Sequence, residues 1–324
     1  MNQPTPDGGA PSLRARPGFV AVVLAIAVLA GALEISPASI ALLVSERLAV
    51  DTGAVSWLVS VMLGVAVVAS VPAGRVVHRL GPRRALAAAS ALLVAGGVAS
   101  WWFATRGDYA LVFLARIVAG GGFILLWNAG LGAFGAFAER ATATSLFTAS
   151  GPLGFAVGHF TAPLLAESFG WASPFLVYPL LVVVPALALA VVRAPAGADA
   201  DGDAPTLGEV RSLLATRAFV LVAAMAFVSY SLYLFVNSWV PTYLDAVLGY
   251  SATQSGALVA VFPLLGAFSR LSGGLVADRV FDGERRPVVL ASFLVSGPLL
   301  AAFLVVERSA SSCSRSSSPA TSSS

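Results

Sequence analysis

Nine stretches of this 324-residue chain run for 20 to 27 residues with almost no charge: 18–44, 54–73, 85–104, 109–134, 143–166, 171–192, 218–240, 252–276 and 287–306. The hydrocarbon core of a bilayer is about 30 Å thick, and about 20 apolar residues in a helix cross it. Helix is the form such a run takes in lipid, because backbone N–H and C=O groups find no water there and must satisfy one another within the segment. A water-soluble fold is excluded on the same ground. Charged residues make up 11% of the chain and hydrophobic residues 58%, against roughly 25% charged in soluble domains. The expected class is therefore an all-α multi-pass membrane protein in contact with the lipid bilayer.

All 19 basic residues are arginine, and their placement orients the chain. With the N-terminus inside, 13 of them fall in cytoplasmic segments, among them Arg14, Arg16, Arg75, Arg79, Arg83, Arg84 and Arg279. Outside lie Arg47, Arg106, Arg308 and Arg315, and within runs lie Arg116 and Arg270. Arginine is retained on the cytoplasmic side during insertion, so this asymmetry predicts a cell-membrane protein with its N-terminus inside. The first run is too long for the apolar region of a cleavable signal peptide. Net charge is +3, without a basic patch of the kind nucleic acid needs. One cysteine, Cys313, and two histidines leave no disulfide, redox pair or His-based zinc site, and no nucleophile elbow or phosphate-binding glycine loop is present. The chain reads as a non-enzyme that needs no cofactor or metal.

The runs divide unequally. Residues 1–17 form a cytoplasmic tail, 18–192 hold six runs, 193–217 form an acidic cytoplasmic linker, and 218–306 hold three more. Within the linker, Thr206 to Leu214 has the apolar spacing of a short helix lying along the membrane surface. Residues 307–324 read as a disordered tail, with ten serines in the last sixteen positions. In an arginine-only, GC-rich coding bias, leucine and valine codons read one base late give serine, so composition favours a frame shift or truncated gene over a native tail.

A repeat links the halves. Gly74-Arg-Val-Val-His78-Arg79-Leu-Gly81-Pro-Arg83-Arg84 follows the second run, and Gly274-Leu-Val-Ala-Asp278-Arg279 follows the eighth, 200 residues later. Both resemble the Gly-x-x-x-Asp-Arg-x-Gly-x-Arg-Arg loop signature of the major facilitator superfamily of transporters. Arg116-x-x-x-Gly120-x-Gly122 is similar to that family's fourth-helix motif, and Trp239-Val-Pro241-Thr-Tyr-Leu244 to a common ending of its seventh helix. The resemblance covers residues 18–306. It implies a complete N-terminal six-helix bundle plus three helices of a C-terminal one, with a small solute held between bundles at the membrane midplane and moved by alternating access. It also makes the paired loops gate elements, through Gly74, His78, Arg79, Gly81, Arg83 and Arg84 and through Gly274, Asp278 and Arg279. Gly74 and Gly274 are expected to permit close helix approach. His78 departs from the pattern, standing where the family has an acid.

Glu34 is the acid inside a run. A carboxylate at lipid depth costs about 2.5–3.5 kcal/mol on insertion, so it needs a proton, a partner or a wet cavity. Arg116 is the expected partner, and the resemblance puts both on cavity-lining helices. The functional reading makes Glu34 and Arg116 a proton-coupling or substrate-binding pair; the competing one is a static buried ion pair that fixes packing. Trp127, Asn128, Tyr230, Tyr233 and Asn237 are expected to line the cavity, with helix-to-helix hydrogen bonds as the alternative. His159 reads as a hydrogen-bonded packing residue, with a proton carrier as the alternative, and Arg270 is expected to snorkel to the interface. The fifth run lacks the Gly-Pro-x-x-Gly-Gly of drug antiporters. Together these features point to a secondary transporter of a small solute, with proton coupling and uptake of anions or organic acids as the finer expectation. The alternatives are a non-transporting truncated remnant or structural membrane protein, and a drug/proton antiporter.

Overall fold

The computed structural model describes residues 10–195, 207–281, 284, 286–295 and 298. After a single 3-10 turn at Leu13–Ala15, the helices are α1 (Pro17–Ser39), α2 (Ala41–Leu48), α3 (Thr52–Leu80), α4 (Pro82–Ala104), α5 (Tyr109–Gly135), α6 (Arg140–Phe169), α7 (Pro174–Ala188), α8 (Leu207–Leu214), α9 (Arg217–Ala246), α10 (Ala252–Val280) and α11 (Arg286–Val295). The protein is a multi-pass helical membrane protein. Helices α1, α3, α4, α5, α9 and α10 are each long and apolar enough to cross a bilayer, and α6 with α7 add one more if taken as a bent pair.

The differences from the nine expected runs have local causes. The first run breaks at Ile40, three residues beyond Pro37, and restarts as the amphipathic α2. Over 171–192 only 15 residues are helical, about 22 Å at 1.5 Å per residue. Trp171 to Ser173 turn sharply after Gly170, and the chain bends by 112° between α6 and α7. Of the ninth run, 299–306 lies outside the described residues, as do the tail 307–324 and linker residues 196–206.

Caps and close contacts place the helices. Asp51 accepts from Ala54 N at 2.8 Å to start α3, and Asp108 accepts from Leu111 N at 3.0 Å to start α5, each satisfying one of the free N–H groups of a first turn. Gly81 joins α3 to α4 at φ +73°, a conformation that costs a residue with a Cβ but not glycine. Helix α5 packs between α3 and α4, while α1 packs against α6 and α7 and meets α9. The α1–α6 crossing brings backbones together: a Cβ on Gly154 would stand 2.9 Å from the Gly31 Cα. Small residues allow this approach, which gives dispersion contact where lipid removes the hydrophobic drive between helices. Outward faces carry large apolar side chains such as Val68 and Phe227, as lipid contact requires.

The chain divides into two compact units, residues 1–272 and 273–324. All of α1 to α9 and most of α10 belong to the first. The second holds the last turns of α10, which begin at Gly273, and α11; within it Gly273 faces Val288.

Candidate functional site

Pro37 lies in the last turn of α1. It has no N–H for the carbonyl of Leu33, four residues back, and its ring crowds that carbonyl. Arg116, on α5, takes up the slack. Its Nη1 donates to Leu33 O at 2.8 Å, its Nη2 to the backbone oxygen of Glu34 at 2.6 Å, and its Nε to Leu58 O of α3 at 2.8 Å. The guanidinium is fully buried and ties three helices through backbone groups.

Glu34 is equally buried, yet neither carboxylate oxygen has a hydrogen-bond partner. The two expected partners do lie together, but the bond runs to the main chain of Glu34 and not to its side chain. The carboxylate and guanidinium thus interact through charge and proximity, without a side-chain hydrogen bond between them. Backbone carbonyls, among them the Leu33 oxygen that Pro37 cannot serve, take up the guanidinium donors instead.

Four more buried polar atoms lack partners: His159 Nε2 on α6, Tyr233 Oη and Asn237 Oδ1 on α9, and Trp127 Nε1 on α5. His159 is hydrogen-bonded, as expected of it, with its Nδ1 2.9 Å from Ser39 Oγ on α1. The Asn237 side chain adjoins both His159 and Tyr233, and its Nδ2 donates to Tyr233 O at 2.7 Å. Tyr233 stacks on Phe155, Tyr230 and Phe262 with centroids 5.6 to 5.9 Å apart. Tyr230 and Tyr233 lie within electrostatic reach of both Glu34 and Arg270.

Arg270 does not turn away to an interface. Its guanidinium stands 5.6 Å from the Tyr233 ring centroid and donates to Thr148 O of α6 at 3.3 Å. A cation over an aromatic face is attracted by the ring quadrupole, and this one keeps most of its donors for other partners. The tyrosine pair thus has an acid, Glu34, and a cation, Arg270, within electrostatic reach.

The remaining expected residues divide. Trp127 packs edge-on against Phe147 at 4.9 Å and joins the aromatic core. Asn128 donates to Ser70 O at 2.8 Å, a tie between α5 and α3. A separate cleft of about 220 Å³ between α1, α6 and α10 is lined by Leu24, Val28, Leu153, Leu264, Phe268 and neighbours, and carries no charge.

In the first loop motif, Arg83 donates to Leu189 O at 2.7 Å and to Ala190 O, which caps the end of the short α7. Gly74 and His78 are half-buried, and Arg79 and Arg84 exposed. A Cβ at Gly74 would meet nothing within 4 Å, so the close approach expected there is not made. In the second unit Gly274 is buried, Asp278 half-buried and Arg279 exposed. Sequence reasoning missed the inward turn of Arg270, the Ser39–His159 contact and the carbonyl role of Arg116. Pro37, three residues past Glu34, was the available signal for the last.

The profile of the Major Facilitator Superfamily matches residues 20–313. The probable nitrate/nitrite transporter NarK2 of Mycobacterium tuberculosis, in strains CDC 1551 / Oshkosh and ATCC 25618 / H37Rv, is 28% identical over 266 residues. The match covers 80% of this chain and 65% of the relative, so the chain spans just under two thirds of the length of these curated relatives. Among solved structures, a D-xylose–proton symporter superposes with a TM-score of 0.55 at 16% identity, over 81% of this chain and 69% of that one. That likeness concerns the fold. Helices, paired loop motifs and a family match over almost the whole chain agree, and the chain belongs to the Major Facilitator Superfamily.

Proposed function

We propose that this chain is a secondary transporter that couples a proton to a small inorganic or organic anion. One observation carries the reading: the tyrosine pair on α9 has a buried, unpartnered carboxylate, Glu34, and a guanidinium with donors to spare, Arg270, both within electrostatic reach. An anion docks on Arg270 with the Tyr230 and Tyr233 hydroxyls as further donors. Glu34 carries the proton, because it is a buried carboxyl group whose oxygens no hydrogen bond holds, beside the Arg116 guanidinium already committed to backbone carbonyls. Protonating Glu34 as the anion binds at Arg270 keeps the loaded site close to neutral, which lowers the cost of carrying it through lipid depth. The nitrate/nitrite transporters similar to this chain support a small anion, and the proton symporter supports proton coupling, each as the activity of a relative.

In this reading residues 18–192 form the first bundle, 193–217 the linker and 218–306 the described and undescribed parts of the second. The N-terminus and the first loop motif lie on the cytoplasmic side, where Gly81 and Arg83 fix the turn and the end of α7. Arg116 holds helices together and does not touch the solute.

The test is proteoliposomes of the full chain loaded with a pH-sensitive dye. Nitrate or nitrite added outside should acidify the lumen, and Glu34→Gln should abolish acidification. Anion-independent dye signals in both proteins would overturn the reading in favour of a non-transporting membrane protein. Proton release driven by cationic drugs would favour an antiporter.

A further inference from the structure

Glu34, Tyr233, Asn237, His159 and Ser39 are polar residues that follow one another from α1 through α9 and α6 back to α1. Ser39 lies five residues beyond Glu34 on α1, about 7.5 Å along the axis. Between them, Tyr233 is within electrostatic reach of Glu34, Asn237 adjoins Tyr233 and His159, and His159 Nδ1 meets Ser39 Oγ at 2.9 Å. Ile35, Ala38, Val59 and Phe155 form a buried apolar cluster against which Tyr233 packs. Glu34, His159 and Asn237 are fully buried, and five atoms of the series have no hydrogen-bond partner: both Glu34 oxygens, Tyr233 Oη, Asn237 Oδ1 and His159 Nε2.

Buried polar groups in native folds are met by protein or by ordered water. Water is the smallest molecule that offers donors and acceptors together, and it occupies buried sites where two to four polar groups converge. Tyrosine hydroxyl and neutral imidazole share that dual character, so a proton accepted on one side can leave from the other. Asn237 has no such exchange. It orients its neighbours through its amide.

We propose that His159 and Tyr233, with water between them, form a proton path that joins Glu34 to the Ser39 end of α1. The path rests on the proton-coupling reading of Glu34 above. A proton received at His159 Nδ1 is matched by one released from Nε2, and the hydroxyl of Tyr233 likewise releases one proton as it accepts another. The net result is one proton added to the Glu34 carboxylate, with no charge left on the relay. Asn237 is a positioning residue. The charged and titratable groups facing Glu34 are Arg116 from α5 and Tyr230 and Tyr233 from α9, with Arg270 of α10 beyond the tyrosines and His159 on α6. From α3 the local contact is the Leu58 carbonyl, which is already held by Arg116.

The experiment is a pH jump on the full chain in lipid nanodiscs, followed by infrared absorption of the Glu34 carboxylic acid, the band that disappears in Glu34→Gln. His159→Phe should slow the rise of that band at least tenfold while leaving its titration midpoint in place. His159→Gln, which keeps polarity and approximate size but cannot relay, should slow it as well and covers the case in which the phenylalanine variant fails to fold. A merely structural histidine would alter stability or the midpoint and not the rate alone. An unchanged rate in the glutamine variant with the band present overturns the path and leaves Glu34 as the proton site. If the wild-type chain has no titrating Glu34 band, the proton reading and the path fall together.

Discussion

Arg116 and Glu34 are neighbours, both buried charges in a lipid-facing fold, yet their surroundings are opposite. Three backbone carbonyls from α1 and α3 receive the guanidinium of Arg116. The carboxylate of Glu34 receives nothing. A satisfied buried charge holds structure, whereas an unsatisfied one costs free energy and persists where it has work to do. The two residues that sequence reasoning joined as a pair therefore differ in their hydrogen bonding, and the function proposed above gives Arg116 an architectural role and Glu34 a role in transport.

The largest effect should come from breaking the architectural half. Arg116→Leu removes the charged donor that links the Leu33, Glu34 and Leu58 carbonyls of α1 and α3 to α5. A hydrogen bond that involves a charged group is worth about 1.5–3 kcal/mol, and three are lost at once. The expected outcome is a chain that loses most of its thermal stability in mild detergent, or fails to accumulate. If Arg116→Leu keeps wild-type stability and loses only transport, the division between the two residues is wrong.

Arg270 gives the next effect and belongs to the other half. Arg270→Gln keeps a donor for Thr148 O but removes the cation over Tyr233. Affinity for nitrate or nitrite, read by tryptophan fluorescence or calorimetry on the chain in nanodiscs, should fall at least tenfold, about 1.4 kcal/mol. Unfolding should shift little. Equal affinity in the variant would remove the anion site from α10 and leave the tyrosines to account for recognition.

Much of this was legible in the sequence and some was not. The uncharged runs gave the membrane class, because lipid leaves one way to satisfy a backbone. The paired loops gave the family, because Gly81 needs positive φ and arginines need the interface. The site was half legible. An acid in an apolar run marks itself by its cost, so Glu34 stood out without a structure. Arg270 did not, because an arginine near a helix end can turn to water or inward, and only the Tyr233 ring and the Thr148 carbonyl decide between them. The role of Arg116 was hidden for a similar reason: charge attracts the eye to the carboxylate, while the freed carbonyl of Leu33 appears in the sequence only as Pro37. The short α7 was overestimated because apolarity signals burial in lipid but not where Trp171 to Ser173 turn.

Asn128 tests the architectural half at small scale. Its amide donates to Ser70 O and joins α5 to α3 in the same manner as Arg116, without the charge. Asn128→Ala should cost about 1 kcal/mol, the net worth of one such bond, and leave anion affinity unchanged. A loss of affinity with no loss of stability would move Asn128 from the packing set into the cavity.

The smallest change in stability should come from Glu34→Gln, and that makes it the sharpest test of the contrast. The substitution keeps the shape of the side chain and its backbone bond to Arg116, and it removes a group that no hydrogen bond stabilises. Loss of a satisfied charge would cost several kcal/mol. Loss of an unsatisfied one should cost within about 1 kcal/mol of zero, or stabilise, because the desolvation penalty of the ionised form goes with it. Unfolding of the two proteins should nearly coincide while anion-driven proton movement is lost in the variant. Strong destabilisation would mean that the carboxylate has a structural partner in lipid, and the static ion pair would then be the better account of both residues.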